Sequence, residues 1–130
     1  MLFSLETYKG LSGRVGRQTW WLGQLLLGLL LMVPYFIGVA VIAMTTDTAA
    51  AEPQPSSIGM MIGGVLIVVA AIAALWGTLA LYIKRWHDRG KSGWWTLLAF
   101  IPIANIWALI ECGFLRGTEG DNAYGPDPLA

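Results

Sequence analysis

Three stretches of the chain almost entirely lack Lys, Arg, Asp and Glu: Trp20 to Met44, Ile58 to Ile83, and Trp94 to Leu115, the last broken only by Glu111. None alternates apolar and polar residues with a period of two, and each far exceeds the ~10 residues of a membrane barrel strand. Helices are predicted. At about 1.5 Å of rise per residue the runs reach roughly 33–39 Å, against a hydrocarbon core of about 30 Å. The expected fold is all-α: three transmembrane helices at about 20–44, 58–83 and 94–115, an outer loop at 45–57, an inner loop at 84–93 and a tail at 116–130, all in one membrane domain.

Several positions modify this pattern. Pro34 removes a backbone donor inside the first run, and membrane helices tolerate such a loss, so a bend is expected there and not an end. Pro102 and Asn105 allow a third segment that dips and returns, although its length suits a full crossing, which would put the tail outside. Pro53 and Pro55 mark 45–57 as a connector. Leu2, Leu5, Tyr8 and Leu11 lie close to helical spacing, which suits either a short amphipathic helix on the inner leaflet or a disordered terminus. The first run follows basic residues as a signal peptide does, but a signal core has 7 to 15 residues and this run is much longer, so a retained helix is expected.

Composition agrees with the pattern. Of 130 residues, 56% are apolar and 12% charged, where soluble domains carry about 25% charge. Eight basic and eight acidic residues cancel, so no global field attracts nucleic acid. Local charge is asymmetric: Lys9, Arg14 and Arg17 precede the first run, Lys84, Arg85, Arg89 and Lys91 follow the second, and 45–57 holds only Asp47 and Glu52. The positive-inside rule then places the amino terminus in the cytoplasm. One histidine and one cysteine, His87 and Cys112, make no zinc spacing and no internal disulfide. Gly90-Lys91-Ser92 lacks the upstream glycine of a phosphate loop, since Arg85 stands there. No cofactor and no enzymatic activity are expected.

The candidate functional residues sit where basic groups run into aromatics, which happens twice: Arg14 and Arg17 lead into Trp20-Trp21, and Arg85, His87, Asp88, Arg89, Lys91 and Ser92 lead into Trp94-Trp95. Indoles prefer the headgroup level, and cations there attract anionic lipid. These twelve residues form the expected contact surface for membrane lipid or a membrane partner. Asp88 pairing with Arg14 or Arg17 would tie the two basic segments into a polar cap. Ser92 can cap the third helix and leave an anion-binding end for a lipid phosphate. Glu111, the sole ionisable residue within the spans, is expected to snorkel to the outer interface or to pair there. A transport site would need Gln24, Asn105 and Glu111 in one cavity, but Asn105 and Glu111 lie about 240° apart on a helix. Gly59 and Gly63 permit close helix approach, within the chain or between copies.

In order, Gly13-Arg14-x-x-Arg17-x-x-Trp20-Trp21, Arg85-x-His87-Asp88-x-Gly90-x-Ser92-Gly93-Trp94-Trp95 and Gly120-x-Asn122-x-Tyr124-Gly125-x-Asp127-Pro128 resemble the DUF805 family of small bacterial inner-membrane proteins. Thr19, Trp86 and Arg89 depart from the family pattern, which usually has an acid, an aliphatic and a small polar residue there. The resemblance implies a multi-pass inner-membrane protein without a settled activity, and a tail that folds on the bundle mouth or binds a partner. The expected role is structural or accessory and non-enzymatic. The alternative is a subunit of an oligomeric small-solute or ion transporter.

Overall fold

The computed structural model describes the backbone of residues 5–129 and the side chains of residues 7–129. Its elements are α1 (Leu5–Lys9), α2 (Arg17–Met44), β1 (Thr46–Asp47), β2 (Gln54–Pro55), α3 (Ser57–Asp88), a 3-10 helix (Gly93–Phe100) and α4 (Ala104–Gly113). Of the amino-terminal amphipathic segment, Leu5–Lys9 is helical and Met1 to Ser4 lie outside the described residues. Helices α2 and α3, of 28 and 32 residues, are long and apolar enough to cross a membrane. Pro34 lies inside α2, which continues past it. The chain forms two compact units: residues 27–75, and residues 1–26 with 76–130.

The first unit is the pair of helical arms Leu27 to Met44 and Ser57 to Leu75 with their connector. Polar side chains close the helix ends: the Thr45 hydroxyl donates to Val41 O (2.8 Å), that of Thr46 to Ile42 O (2.7 Å), and Ser56 Oγ accepts from Gly59 N (3.0 Å). These satisfy groups that a helix leaves bare at its ends. The connector is a two-stranded antiparallel pair, Thr46 opposite Pro55. Glycine sets the approach of the arms. A Cβ on Gly38 would sit 2.7 Å from Gly63 O, and one on Gly63 2.5 Å from Gly38 O, so the small-residue spacing serves packing within the chain. Large apolar side chains, among them Leu30, Val33, Phe36, Val65, Val69 and Ile72, point outward and are exposed.

The second unit departs from expectation in its third apolar segment. A continuous helix over 94–115 is corrected to two short helices that pack against each other. The reason is Pro102, which has no N–H and drives the preceding residue into extended geometry: Ile101 has φ −96° and ψ 123°. Ile103 follows at φ 71° and ψ −51°, and Ala104 N bonds to Pro102 O at 2.9 Å. This is the strained form of a γ-turn, costing about 1–3 kcal/mol for a residue without glycine's freedom. The inner loop is also shorter than 84–93. Helix α3 runs on to Asp88 and ends in a Schellman arrangement, with Gly90 at φ 74°, Gly90 N on His87 O and Lys91 N on Trp86 O, both 2.9 Å.

The tail is ordered by its own polar groups. Asn122 and Gly125 exchange backbone bonds (3.1 and 3.2 Å) around a tight turn. Asp127 closes the larger loop, accepting from Leu129 N (2.9 Å) and Gly120 N (2.8 Å). Those two amides hold its carboxyl below the ordinary carboxylate range.

Two predictions follow from packing and charge. Replacing Gly63 by Val should destabilise the detergent-solubilised protein by about 1–3 kcal/mol, read as a lower Tm, whereas Gly64→Ala, whose Cβ meets nothing within 4 Å, should leave it near wild type. A depressed carboxyl stabilises in full above the ordinary Asp value of about 3.9 and stops doing so as pH falls through the lower folded value. Hydrogen-exchange protection of Gly120 and Leu129 should therefore be lost below about pH 4, and Asp127→Asn should flatten that dependence.

Candidate functional site

The last carbonyls of an α-helix have no partner within the helix and carry the negative end of its dipole. In α4 and the residues after it, five successive carbonyls are taken up by side chains from elsewhere in the same unit. Cys112 O accepts from Arg85 Nε (2.6 Å), Gly113 O from Trp21 Nε1 (2.9 Å) and Phe114 O from Arg17 Nη1 (2.9 Å). Leu115 O accepts from Arg85 Nη2, and Arg116 O from Arg89 Nη1. Three guanidinium groups and one indole thus hold one helix end. A Cβ on Gly113 would lie 2.8 Å from Trp21 Cζ2, so a side chain here would push the indole away from the carbonyl it caps.

Asp88, at the last turn of α3, joins this cap to the rest. Its Oδ1 accepts from Arg14 Nε (3.1 Å) and Nη2 (2.9 Å), and its Oδ2 from Arg85 Nη1. Arg14 spends its other donors on the tail: Nη1 bonds Gly120 O (2.7 Å) and Gly125 O (3.2 Å), and Nη2 bonds Thr118 O (2.6 Å). A guanidinium has five N–H donors in a fixed fork; here the five bonds are two to Asp88 and three to tail carbonyls. The Asp88 carbonyl completes the joint by accepting from Thr118 N at 2.7 Å. The Arg14, Arg85 and Asp88 side chains are 1%, 0% and 5% exposed. A Cβ on Gly117 would run into the Asp88 carboxylate, so only glycine lets the tail pass this close.

A second acid is held in the same way. Glu111 Oε1 accepts from Arg89 Nε (3.0 Å) and Nη2 (2.9 Å) and from Lys91 Nζ (2.8 Å). The Lys91 ammonium also lies over the rings of Trp95 (4.9 Å) and Trp86 (5.6 Å), a cation–π arrangement. The expectation that Glu111 snorkels to an outer interface or pairs there is corrected: its partners are Arg89 and Lys91. Because the third segment doubles back at Ile103, Glu111 returns to the residues that follow α3, Arg89 and Lys91.

His87 and the apolar core complete the face. His87 Nδ1 lies 3.0 Å from Gly13 O, which can only accept, so this nitrogen carries the proton. The ring stacks on Tyr124 at 4.1 Å and 3°, and Asn122 Nδ2 donates to His87 O at 2.9 Å. Beneath them Val15, Trp20, Leu81, Trp86, Ala108 and Cys112 form the core, with Tyr8, Tyr82, Leu98 and Ala99 packed against it. Burial raises the Tyr8 hydroxyl above its ordinary value.

The twelve sequence-predicted residues therefore divide. Arg14, Trp20, Arg85 and Asp88 are buried in intramolecular contacts, and His87 is half-buried against the tail. Ser92 caps the 3-10 helix through Trp94 N. Arg17, Trp21, Trp94 and Trp95 are exposed, and Arg89 and Lys91 are 24% and 32% exposed. The proposed partnership of Asp88 is with Arg14 and, unforeseen, Arg85; Arg17 goes to Phe114 instead. Gln24 Oε1 accepts from Thr78 (3.3 Å) and Glu111 is held by Arg89 and Lys91, so two of the three polar residues a transport cavity would need are separately engaged, and Asn105 is exposed. Sequence reasoning missed the carbonyl acceptors at 112–116 and in the tail. Among the described residues, no three His, Cys, Asp or Glu are grouped to hold a metal ion.

The family model described as "Protein of unknown function (DUF805)" matches residues 8–126. Two similar proteins of Escherichia coli K12 are the inner membrane protein YhaH, 27% identical over 95% of this chain and 91% of that protein, and the inner membrane protein YhaI, 29% identical over 95% and 90%. A third, the uncharacterized protein YiiR, is 28% identical over 89% of this chain and 84% of its own length. No solved structure matches. The match begins just before Gly13-Arg14 and runs past Tyr124-Gly125, so it takes in the amino-terminal loop, the α3 terminus and the docked tail alike: the chain belongs to the DUF805 family and is an inner-membrane protein.

Proposed function

We propose that this chain is a multi-pass, non-enzymatic structural or accessory protein of the inner membrane, in which α2 and α3 cross the bilayer and the arginine-bearing face lies in the cytoplasm. All eight Lys and Arg of the sequence lie outside the 45–57 connector, and the docking of the tail on Arg14 and Arg89 brings Arg116 beside them. This sharpens the charge asymmetry on which the orientation rests.

The observation that carries the reading is the mutual pairing of the buried charges. Asp88 lies between Arg14 and Arg85, and Glu111 between Arg89 and Lys91. Groups bound in this way hold segments together and have little freedom to exchange protons or bind solute. The face then has two tasks. Arg14, Arg85, Asp88 and His87 clasp the tail and the short helices, while the exposed Arg17, Trp21, Trp94 and Trp95, with the half-exposed Lys91, meet anionic headgroups, at about 1 kcal/mol for each basic residue.

Two sets of variants test this division. Arg14→Lys, which cannot reproduce five directed bonds, and Asp88→Asn, which leaves two guanidinium groups without their acid, should each cost about 3–5 kcal/mol of stability and free the tail to proteases. Arg17→Gln with Lys91→Gln should keep more of the fold yet lower the anionic lipid retained on native mass spectrometry of the purified protein. Unchanged retained lipid in that double variant would remove the lipid-contact reading; unchanged stability in both single variants would remove the clasp.

A further inference from the structure

The segment from Gly93 to Gly113 begins and ends against the same turns of α3. At its start, a Cβ on Gly93 would lie 2.7 Å from Ile83 Cγ2; at its end, Arg85 Nε holds Cys112 O at 2.6 Å. Between these points the 3-10 helix has 8 residues and α4 has 10. With rises of about 2.0 and 1.5 Å per residue, each limb is about 15 Å long, half the thickness of a hydrocarbon core. The tip carries Phe100, Ile101, Ile103, Ile106 and Trp107, each at least half exposed, with Ile103 at 82%.

The tip is the wrong chemistry for water. A turn that needs positive φ is ordinarily given Gly, Asn or Asp, and here Ile103 takes φ 71° with its side chain pointing away from the protein. Most of its backbone donors are satisfied within the turn, as a medium that cannot hydrogen-bond requires, the N–H of Ile103 being the exception. Ile101 N bonds Leu98 O, Ala104 N bonds Pro102 O, Asn105 N bonds Ile101 O and Ile106 N bonds Ile103 O, at 2.9–3.2 Å, and Pro102 has no donor to satisfy. At the other end of the hairpin stand the exposed Trp94 and Trp95 beside Lys91, the pairing of indole and cation that favours the headgroup level.

We infer that residues 93–113 form a hairpin seated in one leaflet of the bilayer, its tip near the midplane and its covering partner the acyl chains of that leaflet. That the leaflet is the cytoplasmic one rests on the orientation proposed above; the single-leaflet geometry does not. The hairpin adds two helix cross-sections to one leaflet and none to the other. Asn105 is the exposed polar side chain at the tip, and it is the group that a second copy of the chain would use if protein, and not lipid, covered this surface.

The test is a depth profile of the full-length Cys112→Ala chain in vesicles of phosphatidylethanolamine and phosphatidylglycerol. A nitroxide is placed singly at Trp94, Leu97, Ile101, Ile103, Trp107 or Ile110, and its collisions with oxygen and with a water-soluble nickel chelate are compared. The expected profile peaks at Ile101 and Ile103, with an oxygen-to-nickel ratio several-fold above that at Trp94, and falls again toward Ile110. A maximum at Leu97–Ile103 followed by nickel access at Trp107 and Ile110 from the opposite side of the vesicle overturns the inference in favour of a full crossing. Nickel access at Ile103 overturns it in favour of a tip in water, and protection of Ile103 from both reagents in favour of a protein-covered tip. Substitutions without labels give an independent reading. Ile103→Gly should reach wild-type inserted yield, whereas Ile103→Asp should lower it several-fold; equal yields for Asp and wild type overturn the inference. Because the profile is the same whichever side the termini face, its failure leaves the orientation standing, and an inverted orientation leaves the profile standing.

Discussion

A helix that ends among other apolar segments must find donors for its last carbonyls, and in this protein arginine supplies most of them. Arg85, Arg17 and Arg89, with the Trp21 indole, take the carbonyls from 112 to 116. This need explains why the basic residues at 17, 85 and 89 are arginines. A guanidinium reaches two carbonyls or a carbonyl and a carboxylate at once, in fixed directions, which the ammonium of lysine cannot do. Burying Arg14 and Arg85, and in part Arg89 and Lys91, demands anions, and Asp88 and Glu111 supply them, each shared by two basic side chains. The short third segment, the buried charges and the docked tail are thus consequences of one another.

The two compact units solve different problems. In residues 27–75 the helical arms have few polar groups to satisfy, and what holds them is close approach at Gly38 and Gly63, with capping hydroxyls at the connector. In the unit made of residues 1–26 and 76–130 the chain breaks helices, turns at Ile103 and returns, so backbone groups must be satisfied by side chains far away in sequence. Arg14, Arg17, Arg85, His87, Asp88, Asn122 and Tyr124, which belong to the motifs by which the sequence resembles DUF805, all fall in this second unit and mostly contact one another.

How much of this was legible follows from what kinds of group interact. Helices α2 and α3 were readable because long apolar runs have one solution when water is absent, and the Asp88–Arg14 pair was readable because Asp88 is one of very few acids near those cations. The third segment misled because hydropathy records how many residues are apolar and not which way the chain travels; Pro102 was the visible warning. The error carried over to Glu111, whose surroundings depend on that direction. The docking of the tail left almost no trace in composition, since Arg14 recognises backbone carbonyls at Thr118, Gly120 and Gly125, and every residue has a carbonyl. Only the glycine at 117, which lets the chain pass Asp88, and the resemblance of the tail to its family hinted at it.

Arg14 joins the amino-terminal loop to the carboxyl-terminal tail, so both must share one side of the membrane, and the topology proposed above puts the 45–57 connector on the other. Side-specific thiol labelling of the Cys112→Ala chain, with one cysteine at Ser12, Ala50 or Ala123, measures it directly in intact and in opened cells. The account predicts that Ser12 and Ala123 positions react only once the cells are opened, and that the Ala50 position reacts in intact cells. Labelling of the Ala123 position together with Ala50 in intact cells, while Ser12 stays protected, would contradict it.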